Sequence, residues 1–152
     1  MGYQPLVSVG IPTYNHPESL RKTLECISKQ TYENLEIIVS DNCSPGKETE
    51  AVVREFATKD NRIQYYKQDA NKGALFNFRF VLEKATGEYF MWVADDDEWD
   101  INSITAFINE FNRHPEISVV MSACKRVDEN GRLYDVIHNF NSELNPNLTN
   151  PI

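Results

Sequence analysis

The sequence predicts an α/β domain in which a mostly parallel sheet carries helices on both faces. Short apolar runs alternate with segments whose apolar residues recur at helical spacing, in the order β-α-β-α-β-α-β-α-β. Such alternation requires crossover connections, which leave successive strands parallel. The 152 residues, 41% of them hydrophobic, suffice for one core, and the pattern contains no internal repeat or second domain.

The first half of the chain alternates strand and helix twice. Residues 6–12 are an apolar strand that ends at Pro12, because proline cannot donate to a strand ladder. A helix over 17–30 follows, since proline suits its first turn and its apolar residues recur at i, i+4 and i+7. A strand over 35–40 and a helix over 47–59 repeat the pattern.

The second half continues the alternation. Strands are predicted at 62–66, 88–94 and 117–122, because each is a short run rich in β-branched, aromatic or other apolar residues. Helices are predicted at 74–85 and 101–113, where the apolar residues share one face.

The end of the chain changes character. Residues 128–131 (Asp-Glu-Asn-Gly) predict a hairpin-like turn. From about residue 139 the sequence is rich in Asn and Pro and has no core period. We therefore expect a domain over 1–138 and a tail over 139–152.

Charge and cysteine content exclude several classes of protein. The net charge is -8 and no basic stripe occurs, so nucleic acid is not an expected partner. No apolar stretch approaches the length of a membrane span, and no signal peptide is visible. The three cysteines (Cys26, Cys43 and Cys124) are widely spaced, which disfavours disulfides or a zinc cluster and favours a reducing cytoplasm.

Polar residues follow three of the predicted strands. They are Thr13, Tyr14 and Asn15, then Asp41 and Asn42, and then three successive aspartates at 95–97. In open parallel sheets, ligands bind beyond the carboxyl ends of the strands. We therefore expect these segments to meet at one crevice.

The three aspartates at 95–97 have two interpretations. Adjacent carboxylates repel one another unless a cation neutralises them, and hard oxygen ligands select Mg²⁺ or Mn²⁺. The alternative is a solvated acidic loop that caps the next helix. The position after a buried strand favours the metal site.

Other motifs are absent or open to two interpretations. Asp41 either shapes its turn or accepts hydrogen bonds from a nucleobase or ribose. The loop after the first strand is neither a dinucleotide-binding glycine motif nor a Walker loop, and it lacks the Gly-rich basic loop expected of a nucleotidyltransferase. His16 adjoins the crevice and is interpreted as a surface or helix-cap residue.

Taken together, five segments resemble the family-2 glycosyltransferases, which have the Rossmann-like GT-A fold. The matching segments follow the family's order: VSVGIPTYN (7–15), LEIIVSDNCS (35–44), NKG (71–73) with Asn77, ATGEY (85–89) and ADDDEW (94–99). The resemblance covers roughly residues 5–130. Each is weak alone, but the set is specific.

The resemblance implies a site for a nucleotide-sugar donor, usually a UDP-sugar. It implies that one set of residues lines or supports the pocket: Pro12, Thr13, Tyr14, Asn71, Lys72, Gly73, Asn77 and Arg79. Asp41 would read the nucleobase and Asp95 would face ribose or sugar. Asp96 would bind the donor, and Asp96 or Asp97 would hold Mg²⁺ or Mn²⁺ on the diphosphate.

The resemblance also implies inverting transfer of the sugar to an acceptor hydroxyl, which requires a general base. In the family that base is a carboxylate well beyond the aspartates. Asp128, Glu129 and Glu143 do not match its motif. We therefore expect a truncated chain that lacks much of the acceptor half, with a non-catalytic nucleotide-binding module as the alternative.

The expected acceptor is a saccharide or glycolipid in polysaccharide synthesis. The resemblance allows a cytoplasmic location at the inner face of the membrane, with peripheral association of the longer protein. An exposed face where the acceptor half would lie would favour self-association.

Overall fold

A computed structural model describes residues 3–128, 130 and 132–137. The strands are β1 (Val7–Thr13), β2 (Leu35–Asp41), β3 (Ile63–Lys67), β4 (Tyr89–Trp92), β5 (Cys124–Val127) and β6 (Leu133–Ile137). The helices are α1 (Pro17–Ser28), α2 (Glu48–Ala57), α3 (Ala74–Lys84) and α4 (Ser103–Arg113). The chain divides into two compact units, residues 1–105 and 106–152.

The first unit contains a parallel four-stranded sheet in the order β3-β2-β1-β4. β1 pairs with β2 over its whole length, from Val7 opposite Leu35 to Thr13 opposite Asp41. Because both strands end at the same level, the loops that follow them leave the sheet side by side. The predicted parallel α/β fold is confirmed.

Helices cover both faces of this sheet. Side chains of a strand alternate between the two faces, so neighbouring residues contact helices on opposite sides. On one face, the Arg54 guanidinium of α2 lies 5.7 Å from the Tyr65 ring centroid. On the other, the hydroxyl of Ser40 donates to Asn77 of α3 at 2.6 Å. Glycine is needed at position 10 on this second face, since a Cβ there would lie only 2.8 Å from Val81.

The second unit contains an antiparallel pair, β5 and β6, on either side of the predicted turn at 128–131. The hairpin is thereby confirmed, but the predicted strand over 117–122 is wrong. A short apolar run does not by itself specify a strand, and the turn pairs the segments next to it. Val119 and Met121 in the rejected run are exposed.

No described helix combines the length and apolarity needed to cross a membrane. The predicted tail over 139–152 lies outside the described residues, and the extent of the domain over 1–138 stays a prediction.

Candidate functional site

A cleft of about 280 Å³ lies at the carboxyl ends of β1 and β2. Its walls come from the loops after these strands, the start of α3 and the segment after β4. The lining residues are Pro12, Thr13, Tyr14, His16, Asn42, Asn71, Ala74, Asn77, Phe78 and Asp95. Six of them were predicted as site residues from the sequence: Pro12, Thr13, Tyr14, Asn71, Asn77 and Asp95.

Asp95 is the carboxylate of the cleft. Thr13, the last residue of β1, donates its hydroxyl proton to Asp95 Oδ2 at 2.5 Å. Nδ1 of His16 lies 3.4 Å from the other oxygen, Oδ1. Asp95 is 9% exposed, so these two partners fix a carboxylate that solvent barely reaches.

Asn42 joins the β2 loop to the segment before α3. Its amide donates to Asn71 Oδ1 at 3.0 Å and to the Gly73 carbonyl at 3.2 Å, and its Oδ1 accepts the Lys72 backbone N–H at 2.9 Å. From the sequence, Asn42 was expected at the crevice but was not assigned to the nucleotide-sugar site. Its position directly after a strand-end aspartate was the available signal.

Asn77 fixes the first turn of α3 to both central strands. Its amide donates to the backbone carbonyls of Ser40 at 2.8 Å and Thr13 at 3.3 Å. Gln68 donates to the Ser40 hydroxyl at 3.1 Å and so extends the buried network. Because every member has a partner, the network holds the floor of the cleft in one arrangement.

Asp41 is fully buried and does not line the cleft. Its Oδ1 accepts the Ser44 backbone N–H at 2.8 Å, and its Oδ2 accepts the Tyr65 hydroxyl at 2.9 Å. Burial, and then the hydrogen bond to the carboxylate, raise the pKa of Tyr65 above its usual value. The phenol therefore stays protonated and remains the donor.

Five other predicted site residues also lie outside the cleft lining, namely Lys72, Gly73, Arg79, Asp96 and Asp97. Lys72 pairs with Asp69, with 2.6 Å between Nζ and Oδ1, and Arg79 pairs with Glu83 on the exposed side of α3. Gly73 has a φ of +85°, a conformation that glycine adopts readily, and begins α3. Asp96 is exposed.

Asp97, the second predicted metal ligand, is exposed but partly desolvated. This desolvation, followed by the like charges of Asp96 and Asp95, raises the pKa of the Asp97 carboxyl. The described part of the chain has no group of three or more His, Cys, Asp or Glu side chains arranged to hold a metal ion. Mg²⁺ that keeps waters and binds substrate phosphates is commonly held by only one or two carboxylates.

Comparison with known proteins identifies the family. The model of the family "Glycosyl transferase family 2" matches residues 8–151. The chain belongs to this family.

Two curated relatives show how much of a family-2 protein the chain represents. It is 34% identical over 109 residues to the GalNAc(5)-diNAcBac-PP-undecaprenol beta-1,3-glucosyltransferase of Campylobacter jejuni, covering 71% of this chain and 35% of the relative. It is 34% identical over 119 residues to an uncharacterized glycosyltransferase of Rickettsia typhi, covering 78% and 36%. The chain thus spans about a third of the length of these family-2 relatives.

Solved structures agree on the fold. The mannosyltransferase PcManGT of Pyrobaculum calidifontis, in complex with GDP-Man and Mn²⁺, aligns with a TM-score of 0.66 and 25% identity, over 72% of this chain and 33% of that one. Residues 1–349 of S. aureus TarS, in complex with UDP, align with a TM-score of 0.67 and 23% identity, over 83% and 43%. These family-2 residues therefore adopt the GT-A glycosyltransferase fold, as the sequence predicted.

Proposed function

We propose that this chain is the donor-binding part of a glycosyltransferase, which binds a nucleotide-diphosphate sugar with Mg²⁺ or Mn²⁺. The observation that carries the proposal is the cleft at the ends of β1 and β2, which Asp95 lines. Asp95 is followed in the sequence by two exposed carboxylates, Asp96 and Asp97. Ligand sites of open parallel sheets lie at such strand ends. Family membership supports the reaction class.

The adjacent carboxylates of Asp96 and Asp97 are suitable ligands for such a cation. The pKa of Asp97 is raised first by desolvation and then by the like charges of Asp96 and Asp95, and a cation would relieve the repulsion between these charges. The solved mannosyltransferase, which contains Mn²⁺ with GDP-Man, supports use of a divalent ion. Asp96 and Asp97 would hold the divalent cation, which would supply Lewis-acid stabilisation of the departing nucleoside diphosphate.

The protein's own residues hold the donor for inverting transfer to an acceptor hydroxyl. Asp95, fixed by Thr13, contacts the ribose or the sugar, and Tyr14 and Asn71 border the nucleotide. Asn77 keeps the cleft floor rigid from beneath. We assign the general base that activates the acceptor to the portion of family-2 proteins that this chain does not span.

The remaining contacts would require local movement. Lys72 reaches a phosphate only by breaking its ion pair with Asp69. Because this pair is exposed, breaking it costs little free energy. Asp41 can accept a hydrogen bond from a nucleobase only through a carboxylate lone pair that its bonds to Ser44 and Tyr65 do not use. Gly73 lies beside the nucleotide, and Arg79 supports the α3 wall from outside.

The acceptor we propose is a saccharide or a lipid-linked saccharide. The name of the Campylobacter relative includes an undecaprenol-linked saccharide. Because the present chain spans 35% of that protein, the acceptor is assigned to the longer protein.

Calorimetric titration tests the proposal. We expect UDP to bind with Mn²⁺ and to bind much more weakly without it, and GDP is titrated in parallel because the two fold neighbours carry different nucleotides. A variant with Asp95, Asp96 and Asp97 all changed to Asn should lose the metal-dependent affinity.

A matched control changes three exposed glutamates to Gln, at positions 25, 33 and 116, and removes the same charge elsewhere. It should bind as the parent chain does. If the folded parent bound neither nucleotide, the proposal would be wrong.

A further inference from the structure

The donor cleft has little positive charge with which to meet a diphosphate. The chain carries a net charge of -8, and Asp95 adds a carboxylate to the cleft wall. The Lys72 ammonium is paired with Asp69. Of the described residues that line the cleft, His16 alone has a side chain that can become cationic.

The side chain of His16 does not cap the helix that follows it. It is the N-cap residue of α1, yet its side chain makes no capping hydrogen bond. Such a bond is the usual reason for a polar side chain at this position. The ring instead lines the cleft, with 61% of its side chain exposed and Nδ1 3.4 Å from Asp95 Oδ1.

Asp95 orients this ring. Its Oδ2 is held by the Thr13 hydroxyl, and Oδ1 faces His16 Nδ1, so the carboxylate is fixed on one side and available to the imidazole on the other. A carboxylate next to one ring nitrogen sets the ring's orientation and leaves the second nitrogen for a ligand.

We propose that His16 is a further donor-binding residue, which contacts the diphosphate of the nucleotide through Nε2 while Asp95 holds Nδ1. The inference rests on the proposed function, because it concerns the same cleft. Donation from both nitrogens at once requires the imidazolium form of the ring. It lies between two anions and provides positive charge in addition to the metal ion.

The test compares a nucleotide with its nucleoside. Wild-type chain, His16→Asn and His16→Ala are titrated with UDP and with uridine at constant Mn²⁺, by calorimetry or, where binding is weak, by NMR. Asn is a favourable N-cap residue, so His16→Asn keeps the start of α1 while removing the imidazole. His114→Asn, at an exposed histidine of α4's C-terminal flank, is the control.

We expect both His16 variants to lose about tenfold in UDP affinity, as for one charge-assisted hydrogen bond, and to keep uridine affinity. An equal loss for UDP and uridine would identify a merely structural role and overturn the inference. Unchanged UDP affinity would also overturn it, while leaving the proposed function intact. If the wild-type chain bound no nucleotide, the proposed function would fail and this inference with it.

Discussion

Glu36 allows the most direct test of how the sheet is held together. It lies in β2, is 8% exposed, and faces neutral donors at its Oε1. The Ser8 hydroxyl donates at 2.5 Å, the Thr86 backbone N–H at 2.6 Å, the Thr86 hydroxyl at 2.9 Å and the Gly87 N–H at 3.0 Å. One carboxylate oxygen thus joins β2, β1 and the connection before β4.

Substitution of Glu36 should lower the free energy of unfolding by an amount that follows from these bonds. Glu36→Ala leaves the Ser8 hydroxyl and the Thr86 N–H without their acceptor, whereas the Gly87 N–H keeps its hydrogen bond to Ser8 Oγ at 2.8 Å. At about 1–3 kcal/mol for each of these two unsatisfied groups, the loss is about 2–6 kcal/mol. Glu36→Gln keeps an oxygen in place but removes the charge, so we expect a loss of about 1–3 kcal/mol.

The contribution of Glu36 should also depend on pH. Burial by itself would raise the pKa of Glu36, but the bonds from Ser8, Thr86 and Gly87 together lower it below its ordinary value. A carboxylate with a lowered folded-state pKa stabilises fully above its unfolded pKa and loses this contribution as pH falls through the folded value. The difference in stability between wild type and Glu36→Gln should therefore shrink on acidification below about pH 4.

Urea unfolding followed by circular dichroism measures both effects, at neutral pH and on acidification. Glu33→Gln removes an exposed carboxylate three residues away and should change stability by less than about 0.5 kcal/mol. A similarly small effect of Glu36→Ala would refute the reasoning, as would a difference between wild type and Glu36→Gln that stays constant with pH.

Two further substitutions test the packing and the site. Gly87→Ala should destabilise by about 1–3 kcal/mol in urea unfolding, because overpacking strains the fold. The added Cβ would lie 2.6 Å from Ser8 Oγ and 2.7 Å from the Leu6 carbonyl oxygen, and unchanged stability would contradict these contacts. Tyr65→Phe removes one donor from buried Asp41, and we expect a loss of about 1–3 kcal/mol, against less than about 0.5 kcal/mol for the control Tyr66→Phe.

The first four strands could be predicted from the sequence because each has its own boundary signal. Pro12 and the turn residues after Asp41 mark strand ends close to those observed. The predicted strand at 88–94 ends earlier, at Trp92, because β4 pairs with β1 only as far as Gly10. That limit depends on the partner strand, which local composition does not describe.

The strand over 117–122 could not be distinguished from an unpaired apolar run by the same means. Its residues have suitable β-propensity, but strand formation requires a partner in register. The turn at 128–131 instead pairs Cys124 with Ile137 and Lys125 with Val136. Here the turn was a better guide than hydrophobicity.

The candidate site was predictable in position but not in its hydrogen bonding. The strand-end rule located Thr13 and Asp95, which are 82 residues apart in sequence and joined by a hydrogen bond. It could not foresee that His16 faces Asp95, since a histidine before a helix has the ordinary explanation of a cap. Side-chain direction at a loop depends on backbone dihedrals that residue type alone does not fix.

Asp41 and its loop connect the rigid sheet to the edge of the cleft. Ser44 donates its N–H to Asp41, and its hydroxyl accepts the Asn15 N–H from the β1 loop at 2.7 Å. Asn15 and Cys43 both have left-handed backbones, with φ of 58° and 64°. Non-glycine residues keep such conformations where surrounding bonds enforce them, commonly at functional sites. The buried carboxylate of Asp41 therefore anchors the loops after β1 and β2. A nucleobase bound at this edge of the cleft would contact loops whose positions Asp41 already fixes.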